Sequence, residues 1–182
     1  YDDPDLARQT RLRDRFFDLF IHTHMQKVMG DRLRPEGQRD PYGVEQARAQ
    51  LRTAFDMLEG DMANKTWAMG EDFTMADCAA APALFYADWT QRIAETFPVL
   101  RDYRARLLAR PSFARAVDEA RYFRPHFPLG APDRDGGDRL KTGRQHALRH
   151  APSGRPLREW IRFEPTACAN ANPLTDRPAS RQ

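Results

Sequence analysis

Histidine and acidic residues near the N-terminus are the first candidates for chemistry in this sequence. His22 lies four residues after Asp18, and His24 lies two residues after His22. On a helix this spacing places Asp18 and His22 on one face, while His24 points elsewhere. A metal ion needs at least one further ligand from another element, and the sequence indicates none. We therefore predict no metal site, and the histidines stay candidates for a pocket, an interface or an ordinary position.

Asp77 and Cys78 form a second group of candidates, in the middle of the chain. Asp77 lies three residues after Thr74, the spacing at which a hydroxyl and a carboxylate each accept from the other residue's backbone N–H at a helix start. We interpret Thr74 and Asp77 as a structural capping box, not as catalytic groups. An apolar neighbourhood raises the pKa of a thiol and makes it unreactive. We expect Cys78 to be buried and inert, and we predict no catalytic residue in this chain.

The elements that must position these residues are helices, because apolar residues recur at helical spacing and no convincing strand alternation occurs. A first long helix is predicted over residues 3–33, with Asp3 as its cap. Further helices are predicted over residues 42–64, 75–92, from Pro98 onward, and 111–121. The stretch from Cys78 to Ala87 carries no charge, so its helix is expected at the centre of the domain. The predicted fold class is all-α, a bundle of about five helices.

Charge is divided unevenly along the 182 residues. Residues 1–133 carry 19 Lys+Arg and 21 Asp+Glu, whereas residues 134–182 carry 10 and 5, so the tail supplies the positive net charge of +3. The tail also holds five prolines and four glycines with little periodicity, which is typical of a disordered segment. We predict a helical domain over 1–133 and a mostly irregular tail over 134–182. Because the helical domain is not basic, we expect no nucleic-acid partner.

The cysteines and the hydropathy pattern indicate the cellular compartment of the protein. Cys78 and Cys168 lie far apart in the sequence, which is more typical of a reducing cytoplasm than of a disulfide framework. No apolar run approaches the roughly 18 residues that span a bilayer, and no signal peptide is visible. We therefore expect a cytoplasmic protein that does not associate with membranes.

Two motifs resemble the C-terminal helical half of the glutathione S-transferase fold. The first is Gly70 followed by Phe73–Asp77 and a helix of small residues to Pro82; it resembles the family's shared capping box. The second is the run from Leu107 to Phe113, which resembles the point where one family helix stops at Arg-Pro and the last core helix begins. The order of the helices agrees with the family as well, and the resemblance covers about residues 3–130.

This resemblance implies a part in glutathione conjugation or glutathione-dependent reduction of small hydrophobic compounds, a detoxifying chemistry. A complete family member begins with a thioredoxin-like domain that holds most of the glutathione site, and no βαβ pattern occurs here. We therefore expect this chain, which begins at Tyr1, to be a fragment: the helical half, supplying the electrophile pocket and part of a homodimer interface, and inactive alone. The alternative reading is a non-catalytic helical module for protein–protein docking.

The resemblance also implies binding residues on the first helix. Some bacterial members carry a His-Lys pair near the glutathione site, and this sequence places Gln26 and Lys27 there. Lys27 is expected to attract the anionic tripeptide and Gln26 to hydrogen-bond a ligand. Phe20 and His24 lie four residues apart, one turn before Lys27, and are predicted to line the cleft.

Aromatic residues after the last core helix are candidates to close the pocket. Tyr122 and Phe123 lie in a segment interrupted by Pro125 and Pro128. Proline breaks regular helix, so this segment is expected to be extended and to lie on the surface or over a cleft. We predict that Tyr122 and Phe123 bind substrate from that side.

Overall fold

The structure is a computed structural model that describes residues 2–132 and Asp135. The first helical rod consists of an α-helix, a π-helical segment and a second α-helix, namely Pro4–Phe16 (α1), Phe17–His22 and Thr23–Arg32 (α2). The other α-helices are Pro41–Asp61 (α3), Met75–Thr90 (α4), Pro98–Ala109 (α5) and Pro111–Glu119 (α6), and the 3-10 helices are Glu36–Gln38 and Ala120–His126. The predicted all-α fold of about five helical rods is confirmed for the described part of the chain. The predicted tail over 134–182 lies, except for Asp135, outside it.

The first rod differs from the regular helix that was predicted. Asp3 caps its start, and its carboxylate accepts from the N–H of Asp5 at 2.8 Å. At the end of the π-helical segment, both the backbone N–H and the hydroxyl of Thr23 donate to the carbonyl of Asp18, five residues back. A π turn holds more residues than an α turn, and such segments occur frequently at functional sites. Apolar spacing does not distinguish the two turn types, so the sequence pattern missed this segment.

Helix α4 lies at the centre and packs against the first rod and α5. Large side chains from these elements and from α3 are fully buried in the core, including Phe17, Ile21, Phe55, Leu84, Leu100 and Tyr103. One side of α4 nevertheless faces solvent, because Met75, Cys78 and Pro82 are exposed. The prediction of a buried Cys78 is therefore wrong. These three residues share one helix face, and an uncharged composition does not reveal which face of a helix its neighbours leave open.

Asp77 ties the start of α4 to two other parts of the domain. Its side chain is fully buried, and Oδ2 accepts from the N–H of Thr74 at 2.8 Å, which completes the predicted capping box. Oδ1 accepts from the N–H of Ala68 at 2.7 Å and from the hydroxyl of Tyr103 at 2.8 Å. Burial, the charge of Asp77 and this hydrogen bond all raise the pKa of Tyr103, against smaller effects of neighbouring arginines. The sequence predicted the cap but not the links to Ala68 and Tyr103.

The start of α5 is held by a carboxylate from α3. Glu59 accepts from the N–H groups of Val99 and Leu100, at 3.0 and 2.8 Å. Pro98 occupies the first helical position as predicted. A negative charge at a helix N-terminus is stabilising, because the first N–H groups have no partner within the helix. The two bonds therefore fix α5 against α3.

Candidate functional site

A cleft of about 410 Å³ lies between the C-terminal part of the first rod, α4, and the segment that follows α6. The first rod contributes side chains spaced three or four residues apart: His22, Met25, Gln26 and Met29. Helix α4 contributes three aromatic side chains: Phe85, Tyr86 and Trp89. The third wall begins at Val117 near the end of α6, continues through the 3-10 helix Ala120–His126 and ends at Pro128; it includes Phe123, Arg124, His126 and Phe127. The expectation of an extended segment here is therefore wrong, because the chain continues after α6 as a tighter helix that contains Pro125. Helical spacing on two rods and the proline-interrupted segment opposite them thus create an apolar cavity.

Aromatic rings pack around Trp89 on one wall of the cleft. Its ring centroid lies 4.6 Å from that of Phe85, 5.6 Å from that of Tyr86 and 5.1 Å from that of Phe127. Tyr86 and Phe127 are stacked with an interplanar angle of 16°. The guanidinium of Arg124 lies over the Trp89 ring, 4.9 Å from its centroid. Such contacts fix the wall as a rigid surface that suits planar ligands.

A buried ionic cluster holds Trp89 from behind. Its indole N–H donates to Asp135 at 2.9 Å. Arg104 donates to both carboxylate oxygens of Asp135, at 2.9 and 2.6 Å, and also lies 3.5 Å from Asp88. Bidentate arginine–carboxylate pairs are geometrically specific. The cluster therefore fixes the orientation of the indole.

Two polar side chains on the first rod, His22 and Gln26, face the cleft together. The amide nitrogen of Gln26 lies 3.2 Å from Nε2 of His22. With the amide as donor, Nε2 is the acceptor and the ring proton resides on Nδ1. Both side chains are exposed on the open side of the cavity. They can therefore donate hydrogen bonds to a bound ligand at the rim.

The predicted binding residues are only partly brought together by the structure. Gln26 and Phe123 line the cleft, but the other four candidates are not among its lining residues. Phe20 is 47% exposed and stacks on Phe16 with ring centroids 5.1 Å apart. Tyr122 is 65% exposed and contacts Phe123 edge-on. The binding roles of Phe20 and Tyr122 remain predictions.

His24 and Lys27 lie beside the cleft rather than in it. Lys27 Nζ lies 3.7 Å from the carboxylate of Asp40, which also accepts from the N–H of Gly43 at 2.8 Å as the cap of α3. Partial burial, and after it the positive charge of Lys27, lower the pKa of His24. Lys27 thus links α2 to the start of α3. The expectation that Lys27 attracts the anionic tripeptide stays a prediction.

Several cleft residues were missed by sequence reasoning. His22 was left open as a pocket candidate and was not assigned to the site, although it shares a helix face with Gln26 at the i, i+4 spacing. Phe85, Tyr86 and Trp89 carry no such signal, because an aromatic residue on a central helix is more often part of the core. Arg124 is a third case, since its place over Trp89 depends on how the segment after α6 folds back.

Metal-binding clusters and membrane-spanning helices do not occur within residues 2–132 or at Asp135. No group of three or more His, Cys, Asp or Glu side chains in that part of the chain has an arrangement that could hold a metal ion. None of its helices is both long enough and apolar enough to cross a bilayer.

Comparison with known proteins gives a match in sequence and a match in structure. The sequence model described as "Glutathione S-transferase, C-terminal domain" matches residues 16–111, more than half of the chain. A crystal structure of a glutathione S-transferase from Methylobacterium radiotolerans, in complex with glutathione sulfonate, is similar with a TM-score of 0.55 and 25% sequence identity. That similarity covers 63% of this chain and 55% of the other. The chain therefore spans little more than half the length of this solved relative.

Proposed function

We propose a function from the premise that this chain belongs to the glutathione S-transferase family, through its C-terminal helical domain. The proposal is that the chain supplies the electrophile-binding cleft for glutathione conjugation, or glutathione-dependent reduction, of small hydrophobic compounds. The single observation that carries it is the cleft of about 410 Å³ walled by Phe85, Tyr86, Trp89 and Phe127. A concave, mostly apolar cavity with a few polar groups at its rim is the usual form of a small-molecule site.

The proposed reaction assigns a limited part to this chain. A thiolate sulfur donates an electron pair to an electrophilic carbon and forms a C–S bond, while a leaving group departs or a neighbouring double bond takes up the electrons and a proton. A free thiol has a pKa of about 8.5 and is mostly protonated at neutral pH, so a donor or positive dipole must stabilise the thiolate. The cleft binds and orients the electrophile, and its rings exclude water from the apolar part.

We propose that glutathione contacts only the edge of this cleft. Gln26 is exposed at the rim and can donate to the tripeptide, whereas Lys27 lies against Asp40. We propose that a thioredoxin-like domain, as in complete family members, holds most of the glutathione, and that this chain borders it through Gln26. The solved relative binds a glutathione derivative and is longer than the matched region, which supports this division.

Calorimetric titration with naphthylmethanol, a neutral planar ligand, tests the cleft. The chain should bind it, and Ala120→Trp should abolish binding because Ala120 lines the cavity. Ala116→Trp is the matched control, since Ala116 is exposed on the same helix end and outside the cavity lining. Equal binding by both variants, or no binding by the parent chain, would contradict the proposal. A module for protein–protein docking that has no ligand site would show no binding by the parent chain.

We further propose that the protein is a cytoplasmic homodimer with a detoxifying role, as the family resemblance implies. Large apolar side chains are exposed on the first rod, with Leu12 67% and Leu19 56% exposed. Exposed apolar side chains of this kind suit burial by a second copy. Sedimentation should give about twice the 21.0 kDa chain mass, and Leu19→Glu should lower it. A monomer for the parent chain would refute the dimer, and recovery from a membrane fraction would refute the location.

A further inference from the structure

Buried side chains of the first rod follow different spacings on the two sides of Phe17. Upstream, Thr10 is buried and lies seven residues before Phe17, which is also buried. Seven residues make nearly two turns of an α-helix, so this spacing keeps both side chains on one face. Downstream, the residue at the seven-residue position, His24, is only partly buried, whereas Met25, eight residues after Phe17, is fully buried. The buried face has therefore moved by one residue between α1 and α2.

The π-helical segment Phe17–His22 lies at this change of spacing and accounts for the extra residue. A π turn closes with a hydrogen bond between residues five apart instead of four. Here the N–H of Thr23 donates to the carbonyl of Asp18, and the Thr23 hydroxyl donates to the same oxygen at 2.9 Å. In a regular α-helix one extra residue would rotate every later side chain by about 100°. The wider turn takes up that rotation within the segment.

The rotation of α2 decides which of its side chains reach the cleft. Met25 and Gln26 line the cavity, and the Gln26 amide lies 3.2 Å from His22 on the same wall. If the whole rod were a regular α-helix, His24 would share the face of Phe17 and take the buried place of Met25. Gln26 would then lie about two and a half turns after Phe17, on the opposite side of the rod. The observed wall therefore depends on the wider turn before it.

We infer that the π-helical segment is the positioning element of the cleft. By taking up one extra residue, it turns α2 so that Met25 and Gln26, instead of His24, form the cavity wall. Thr23 is the positioning residue, because its two hydrogen bonds to the Asp18 carbonyl close the last π turn. The inference rests on the proposed function, since it concerns how the chain presents one wall of the same ligand site.

Deletion of Leu19, an exposed residue of the π-helical segment, tests the inference without a ligand. It leaves Met25 seven residues after Phe17, so the rod should become a regular α-helix with the same buried face. Deletion of Leu12 is the matched control, because it removes an exposed leucine from the α-helical part of the same rod. That control rotates Thr10 by about 100° away from the face of Phe17. In urea denaturation the unfolding equilibrium constant should rise at least about tenfold more for the Leu12 deletion than for the Leu19 deletion. Equal losses would overturn the inference.

Calorimetric titration with naphthylmethanol then tests the cleft wall itself. The Leu19 deletion should keep the dissociation constant within about threefold of the parent value, because Met25 and Gln26 still face the cavity. An alanine inserted after Leu19 rotates α2 by about 100° and should abolish binding. An alanine inserted after Leu12 leaves α2 in place and should preserve binding, with folding of both variants checked by circular dichroism.

Two results of the titration would overturn the inference and leave the proposed cleft intact. They are loss of binding in a folded Leu19 deletion and unchanged binding after the insertion at Leu19. Absence of binding by the parent chain would instead overturn the proposed function. The urea comparison of the two deletions would still decide the inference in that case, because it needs no ligand.

Discussion

The first turn of helix α4 contains Asp77, whose carboxylate oxygens accept hydrogen bonds from groups of the protein. The last turns of the same helix present Tyr86 and Trp89 to the cleft. At the first end the polar atoms are buried and paired with one another. At the second end the neighbouring polar groups, His22 and Gln26, are exposed at the rim of a cavity. The start of the helix thus serves folding, and its end suits the proposed ligand binding. Substitutions at the two ends should therefore affect different measurements.

Asp77→Ala should cause the largest loss of stability among substitutions at either end of α4. It leaves the N–H of Ala68 and the hydroxyl of Tyr103 without their acceptor in the interior, so the free energy of unfolding should fall by about 3–5 kcal/mol. Urea denaturation measures this, with Asp72→Ala as the control because Asp72 is exposed beside the same cap. The control should change stability by no more than about 0.5 kcal/mol. A similar small loss for Asp77→Ala would remove the contrast between the two ends.

Tyr103→Phe tests the same buried cluster from α5. It removes one hydrogen bond to a carboxylate and should lower the free energy of unfolding by about 1.5–3 kcal/mol at neutral pH. The pKa of Tyr103 is raised in the folded protein, so above about pH 10 the unfolded chain loses this proton while the folded one keeps it. The parent chain therefore loses stability as pH rises, and its advantage over Tyr103→Phe should shrink. A constant advantage up to about pH 11 would contradict the raised pKa.

Trp89→Leu tests the other end of α4. It removes the ring that contacts Phe85, Tyr86 and Phe127 at the cleft wall, and should weaken naphthylmethanol binding about tenfold, or roughly 1.4 kcal/mol. Trp67→Leu is the matched control, because Trp67 packs edge-on against Phe73 beside the cap of α4. The control should lower stability and leave the dissociation constant nearly unchanged. The reverse pattern would mean that the two ends do not have separate roles.

Lys27→Met should produce the smallest effect among these substitutions, a change in the pKa of His24 beside the cleft. The pKa of His24 is lowered first by partial burial and second by the charge of Lys27. Removing the charge should raise that pKa part of the way towards 6.5, which NMR titration of the imidazole measures. Lys65→Met is the control, since Lys65 pairs with Asp61 on α3. An unchanged His24 pKa would show that burial alone lowers it.

The lowered pKa of His24 also sets the sign of a weak pH effect on stability. The unfolded chain binds this proton more readily than the folded one, so the group favours the folded state above about pH 6.5. That contribution is lost as pH falls through the folded pKa. Because His24 is only partly buried, the change should be much smaller than that caused by Tyr103 at alkaline pH.

Most of the helices could be predicted from local signals in the sequence. Asp3, Pro98 and Pro111 lie at helix starts in the structure, as their residue types indicate. Thr74 and Asp77 likewise form the capping box, because that device depends on a spacing of three residues. The π-helical segment Phe17–His22 and the exposure of Cys78 did not follow. Both depend on contacts with neighbouring rods, which local periodicity does not encode.

The residues of the cleft also fall into two groups: those that the sequence predicted and those that only the tertiary packing brings to the cavity. From the sequence came the family resemblance, the all-α fold and the placing of Gln26 and Phe123 among the binding candidates. Packing of the helices decided that His22, Trp89 and Arg124 join them around one cavity. The physical reason is distance along the chain: capping acts over three or four residues, whereas the cleft assembles groups about a hundred residues apart. Only the packing of the first rod, α4 and the final segment brings those groups together.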